Sequence, residues 1–258
     1  MKPQVKILSS PCLTDGHHSF LHEHKLTWQP SREATPAEQL VEFSGRVCYM
    51  SFGPERQMPG NTRDYIKRLI RKGHESVLEH ASWSLVLHGV SRAFTHQLVR
   101  HRVGFSYSQL SQQYHEETAA RFIEPPGLSD DPELQSEWDK ALTTLRGAYA
   151  NLLNISVPDS NLPPREQLRL RRSLARSILP NAIETVIVVT ANARALRHFL
   201  KVRGAIEGDI EMRLVSAALL RVLEPEAPSL FYDFAVEQWA DGLPIVIHAE
   251  ESITTQHP

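Results

Sequence analysis

The sequence predicts an α+β fold, a sheet with long helices over it, in a single domain spanning residues 1–258. Three observations predict it. Apolar stripes at helical spacing alternate with short β-branched or alternating runs. Helix starts are marked by side chains that can accept from orphan backbone N–H groups, as in the capping box Thr35-Pro-Ala-Glu38 with Pro at the first helical position. No Pro/Gly/Ser-rich or charged linker divides the chain.

In order, Val5, Ile7 and Leu8 suggest a first short strand. Asp15 to Trp28 holds four of the thirteen histidines, at 17, 18, 22 and 24, with no Cys or carboxylate pattern for a metal, and reads as a solvated loop. After Thr35, Leu40, Phe43, Val47 and Cys48 line one helical face, which makes Cys48 a buried, small apolar residue. Ser51 to Asn61 is a Gly/Pro-punctuated loop, and Thr62 to Lys72 is a second amphipathic helix closed by Gly73. His74 and His80 are six apart, the wrong spacing for a metal pair on a helix, so that segment reads as a short turn or helix. Ser82 to His88 alternates like a half-buried strand. Ser91 then caps a helix that runs to Arg102, and Gly104 permits the exit.

Pro125 to Pro132 is a turn region. Leu134, Trp138, Ala141, Leu142, Leu145, Tyr149 and Leu152 form the stripe of a core helix. Arg165 to Ser177 is a helix with a basic face. Glu184 to Ala191 reads as a strand buried on both faces. Asn192 caps the next helix, on which Arg194, His198 and Arg203 are expected close together. Ile210 to Leu223 is a helix stopped by Pro225 and Pro228, Asp241-Gly242 signals a hairpin, and the last ten residues look frayed.

Composition narrows the class of partner. A formal charge of -2 and a pI near 6.7 argue against a general nucleic-acid binder. Of the 28 basic residues 21 are Arg, which suits anionic small molecules and equally fits GC-rich coding. Two cysteines, Cys12 and Cys48, make no disulfide framework and point to reducing cytosol. The most apolar segment, Val186 to Val189, is far too short to span a bilayer.

The chemistry concentrates in His96 to Tyr114. Arg100, His101 and Arg102 splay over most of a helical turn. Ser106, Tyr107, Ser108, Gln109, Ser111, Gln112, Gln113 and Tyr114 then supply hydroxyls and amides in a loop without Asp, Glu or Lys. That combination suits a phosphate and a heterocycle better than a core. The Arg-His-Arg signature followed by a Ser-containing loop resembles that of the flavin-dependent thymidylate synthases. So, in the right order, do Gly73 to His80, Gly89 to Arg92, Thr95-His-Gln97, Leu179-Pro-Asn181 and Asn192-Ala-Arg194 through Arg203.

The resemblance implies transfer of a one-carbon unit from methylenetetrahydrofolate to C5 of a uracil nucleotide, with hydride from reduced FAD and NADPH as reductant. It implies a homotetramer with active sites shared between subunits, located in the cytoplasm. By residue match, the nucleotide falls to Gln97, Arg100, Gln109, Leu110, Ser111, Gln113, Arg176 and Arg203, and FAD to His74, Ser76, Glu79, Arg100, His101, Arg102, Asn192, Arg194 and His198. Arg203 is the candidate catalytic residue, a guanidinium that would stabilise charge on the uracil ring. No metal, nucleic acid or membrane is implied. Neither cysteine reads as a nucleophile.

Three departures stand out. Eight residues separate Arg102 from Ser111, one more than usual; Gln113 stands where an Arg is usual; Glu207 stands where many members carry His. They open a second reading, methylation of UMP as in nucleoside-antibiotic relatives. A third reading is a flavin- and nucleotide-binding module that has lost catalysis.

Overall fold

The computed structural model describes residues 2–53, 60–155 and 161–249. Strands β1 (Gln4–Ser9), β2 (Ser82–Ser91), β3 (Phe105–Gln109) and β4 (Glu184–Asn192) form one sheet in the order β1-β2-β4-β3. Ser84 Oγ meets Thr190 Oγ1 at 2.8 Å, while Gly89 N donates to Glu184 Oε1 at 3.1 Å, so β2 and β4 run antiparallel. Strands β5 (Phe234–Gln238) and β6 (Pro244–His248) pair separately as an antiparallel hairpin, Phe234 opposite His248. Gly242, at φ 74°, makes its turn. The fold is α+β, as expected.

Trp83, Leu85 and Leu87 point inward from β2. Strand β4 alternates as well: Thr185, Ile187, Val189 and Ala191 are buried, whereas Val186 is 39% exposed. The expectation of burial on both faces is therefore corrected; its β-branched run reflects fit to a pleated surface more than burial.

Residue contacts gather into two compact units, the first comprising Met1–Pro3, His88–Arg100 and Ser108–Ile187 and the second Gln4–Leu87, His101–Tyr107 and Val188–Pro258. The second holds helices α1 (Gly16–Glu23), α2 (Pro36–Tyr49) and α3 (Thr62–Arg71). Helix α1 replaces the solvated loop expected there. His17, Trp28 and Phe43 stack edge-on at 5.3–6.0 Å, so histidines in this helix serve aromatic packing.

Helix α2 has the predicted capping box: Glu38 N donates to Thr35 Oγ1, and Thr35 N donates to Glu38 Oε2. Its buried face is not the apolar one. Ala37, Glu38, Val41, Glu42, Gly45 and Arg46 turn inward. The charges are tolerated there because they are paired: Arg46 binds Glu42 at 2.6 Å and lies 4.6 Å from the Tyr65 ring centroid, and Glu38 accepts from Ser229 N at 2.6 Å. This rotation leaves Cys48 exposed, which corrects its reading as core.

Helices α7 (Ala193–Arg203) and α8 (Ile210–Glu226) complete the second unit. Pro225 lies inside the last turn of α8, not beyond it, where it forfeits only one helical hydrogen bond. Helix α7 is fastened from within. Arg197, 6% exposed, donates to both carboxylate oxygens of Asp233 at 2.6 and 2.7 Å and to Leu230 O at 2.6 Å. His248 Nε2 reaches the same carboxylate at 3.1 Å.

The first unit holds α4 (Arg92–Leu98), α5 (Pro132–Asn154) and α6 (Pro164–Ala175), the last followed by a 3-10 turn over Arg176–Ile178. Ser91 Oγ caps α4 by accepting from Phe94 N at 3.0 Å. Helix α5 packs on α6 but buries only Tyr149, and Leu134 is 54% exposed. Its reading as a core helix is corrected: within one chain the apolar stripe is mostly half-covered. The frayed C-terminal segment lies almost wholly outside the described residues.

Burial tends to raise the Asp233 carboxyl, but Arg197 outweighs it and holds it below the ordinary value of 3.8. Such a carboxyl stabilises the fold fully above that value and progressively less as the pH falls below it. Asp233→Ala should cost about 3 kcal/mol or more, since it leaves a buried guanidinium uncompensated. Urea unfolding followed against pH should show an acid-side loss of stability in the native chain that Asp233→Asn flattens.

Candidate functional site

The site in the second unit is built where β4 turns into α7. Asn192 Oδ1 accepts from Ala195 N at 2.9 Å and so caps the helix, while Asn192 N donates to Gly104 O at 3.2 Å. Ala193 N donates to Ala81 O at 2.8 Å, which brings the start of α7 to the end of the 3-10 helix Glu75–His80. Arg194 consequently meets Glu79 at 2.6 Å and Glu75 at 3.6 Å. All three side chains are partly exposed, so these ion pairs contribute little stability and can be exchanged for another anion. His74 and Ser76 are exposed beside them in sequence.

Helix α7 does not bring Arg194, His198 and Arg203 to one point, as expected from the sequence. Arg203 lies nine positions after Arg194, roughly 13 Å along the helix. The structure instead gathers His101, His198 and Arg203. Arg203 Nε donates to His101 Nε2 at 3.2 Å, and the His198 and His101 rings lie 6.2 Å apart. Phe199 stands edge-on to His101 at 5.1 Å. Burial first, then the charge of Arg203 and of His198, lower the His101 pKa below its ordinary 6.5. His101 is therefore a neutral acceptor at pH 7.

The signature residues differ from expectation in local structure. Helix α4 ends at Leu98, so Arg100, His101 and Arg102 lie beyond it and not along its last turn. The polar loop begins as strand β3. Arg100 and Arg102 are exposed. Between them and β3, Gly104 adopts φ 74°, and a Cβ there would sit 2.8 Å from both Ala195 Cβ and Asn192 Nδ2.

Tyr107 is the residue that sequence reasoning passed over. Its phenol donates to His101 O at 2.6 Å, and its ring stacks on Phe105 at 5.8 Å. Burial raises its pKa, so it stays a protonated donor. Two tyrosines in a loop short of charge were the available signal.

In the first unit, Gln97 lies exposed on α4. Gln109 Nε2 donates to Thr95 Oγ1 at 2.9 Å and to Thr185 Oγ1 at 3.3 Å, so its amide is already engaged within the fold. Leu110 N donates to Val186 O at 2.9 Å, and Ser111 Oγ accepts from Gln113 N at 3.3 Å. Helix α6 clasps this loop: Arg172 donates to Tyr114 O at 2.8 Å and Arg169 lies 4.9 Å from the Tyr114 ring centroid. Arg176 is exposed, and its charge helps burial to lower the Arg92 pKa, against Glu117. Apart from Arg203, every residue assigned to the nucleotide lies in the first unit. Apart from Arg100, every residue assigned to FAD lies in the second. Among the described residues no three His, Cys, Asp or Glu side chains are grouped to hold a metal ion, and no helix is long and apolar enough to cross a membrane.

Gly104→Ala should destabilise the chain by at least about 1 kcal/mol from backbone conformation alone, and further by pushing on Asn192 and Ala195. Chemical denaturation of the variant checks this.

A family model described as thymidylate synthase complementing protein matches residues 32–229, which include every candidate site residue. The chain is 44% identical over 225 residues to the flavin-dependent thymidylate synthase of Mycobacterium avium, covering 86% of this chain and 89% of the relative. It is 42% identical over 230 residues to that of Mycobacteroides abscessus, covering 88% and 91%. To that of Mycobacterium tuberculosis it is 42% identical over 225 residues, covering 86% and 89%. The chain belongs to the flavin-dependent thymidylate synthase family.

Proposed function

We propose that this protein is a cytoplasmic methyltransferase that converts dUMP to dTMP, taking a methylene group from methylenetetrahydrofolate, with NADPH as reductant. The observation that carries the reading is the Arg203–His101–His198 group at the end of α7, in a chain whose family is shown. The chain is proposed to work as one functional domain in a homotetramer with shared active sites.

The residues present fit a flavin. Arg194 is held by half-exposed carboxylates, and Arg102 is exposed in the same unit. Two guanidiniums suit the diphosphate of FAD. Asn192, His198, His74, Ser76 and Glu79 offer hydrogen bonds to its heterocycles and ribose, and Arg100 and His101 complete the proposed set. When bound and reduced, the flavin supplies the hydride that turns the transferred methylene into a methyl group.

The chain's own residues bind, orient and stabilise. Arg203 spends Nε on His101, and among the described residues neither of its Nη groups has a hydrogen-bond partner. That fork would meet the uracil carbonyl edge and stabilise the charge that makes C5 nucleophilic. Gln97, Arg100, Gln109, Leu110, Ser111, Gln113 and Arg176 are proposed around the nucleotide, Gln109 and Leu110 by way of the backbone and loop they fix. Both cysteines are exposed and neither takes part.

Purified protein should carry or take up FAD, with visible flavin absorbance, and should make dTMP from dUMP. Arg203→Ala should abolish methylation while FAD binding persists, and Cys12→Ala and Cys48→Ala should stay active. Protein that binds FAD and dUMP yet forms no dTMP would instead support the module without catalysis, and protein that neither retains nor titrates FAD would overturn the central reading.

Gln113 favours a second substrate. A half-buried amide in the loop clasped by α6 can both donate to and accept from a 2′-hydroxyl. A site without a group dedicated to that hydroxyl discriminates weakly. UMP should therefore be methylated with a kcat/KM within about a hundredfold of that for dUMP. Stronger rejection of UMP would remove this second reading and leave ordinary thymidylate synthesis.

A further inference from the structure

We propose that Tyr107 and His101 form a two-step positioning device for Arg203, in which the Tyr107 phenol fixes the His101 backbone and the neutral His101 ring fixes the Arg203 guanidinium. The inference rests on the reading of Arg203 as the cation that meets the uracil.

The geometry is local and complete within the second unit. Tyr107 and His101 are joined across the turn that Gly104 makes possible, phenol to carbonyl at 2.6 Å. A hydroxyl so placed removes the backbone freedom that a loop following a helix would otherwise keep. The ring of His101 is then set by Phe199 at 5.1 Å and Phe105 at 6.0 Å, and Phe105 is itself stacked on Tyr107. With the ring held, Nε2 accepts from Arg203 Nε at 3.2 Å. Arg203 is the last residue of α7 and a long side chain with several rotamers. One hydrogen bond to Nε leaves the planar fork but fixes its plane, the property a bidentate contact needs.

The device has a protonation condition. An imidazolium cannot accept, and it repels a guanidinium. Among the described residues, the charged and titratable groups that face His101 are Arg203 and His198 on α7 and, at its carbonyl, Tyr107 on β3. Arg203 and His198 both disfavour the charged ring, as does burial, so the pairing holds at neutral pH and fails only on the acid side.

The test is the titration of the His101 ring by ¹⁵N NMR in the flavin-loaded full chain, in wild type and in Arg203→Gln. The expected result is a proton on Nδ1, a lone pair on Nε2, and a midpoint below 6.5 that moves up when the guanidinium is removed. A proton on Nε2, or a midpoint equal in the two proteins, overturns the pairing. Tyr107→Phe keeps the stacked ring and removes the hydroxyl that donates to His101 O. It should lower kcat by up to about a hundredfold, the scale of a catalytic group misplaced by about 1 Å, with dUMP affinity and FAD binding unchanged. Its kcat should also begin to fall at a higher pH than in wild type as the medium is made acid. An unchanged kcat and acid limb, whatever the effect on melting temperature, overturns the role of Tyr107. An active Arg203→Ala enzyme would sink the reading of Arg203, whereas an unmoved His101 midpoint sinks only the positioning device.

Discussion

Helix α7 is held by a buried ion pair, Arg197 with Asp233, and the placement of Arg194, His198 and Arg203 along that helix depends on it. Both side chains are almost wholly buried and meet through two parallel hydrogen bonds of 2.6 and 2.7 Å. A buried pair of this kind offers no certain gain in net stability, because removing two charges from water is costly. What it does supply is direction: a bidentate guanidinium fixes the rotation of its helix about the axis. With Arg197, Phe199 and Leu200 inward, Arg194 and His198 are left outward. The helix start is fixed independently by Asn192, whose side chain caps α7 and whose backbone holds Gly104.

The same segment therefore carries two kinds of work at its two ends. At the N-terminal end Arg194 is held loosely by carboxylates in solvent, a contact that an incoming anion can replace. At the C-terminal end Arg203 donates to a neutral acceptor, which sets its orientation, and among the described residues no carboxylate compensates its charge. An Asp in place of His101 would bind Arg203 more strongly and neutralise it. A weakly basic ring, kept neutral by burial and by Arg203 itself, leaves the cation charged, as its proposed contact with the uracil requires.

Much of this was legible in the sequence where the signal is local. The caps at Thr35, Ser91 and Asn192 and the hairpin at Asp241-Gly242 are written in residues within three or four positions of one another. The candidate residues were found through the ordered motifs. What escaped was set by distant partners. The inner face of α2 is charged because Glu38 meets Ser229, a pairing that no hydrophobic pattern reveals, and Cys48 was misread as a result. Helix α4 stops at Leu98 because the chain turns toward β3, so the basic triplet leaves the helix earlier than its periodicity suggests. The phenol of Tyr107 matters only because Gly104 folds it back over His101.

The central claim is that these residues serve a hydride-dependent methylation of a uracil nucleotide. Its most direct test is a single turnover of pre-reduced enzyme with dUMP and methylenetetrahydrofolate in the absence of NADPH, with flavin absorbance and product followed together. The account predicts that one flavin is oxidised for each dTMP formed and that both appear at the same rate. Methylated nucleotide formed while the flavin stays reduced would contradict it.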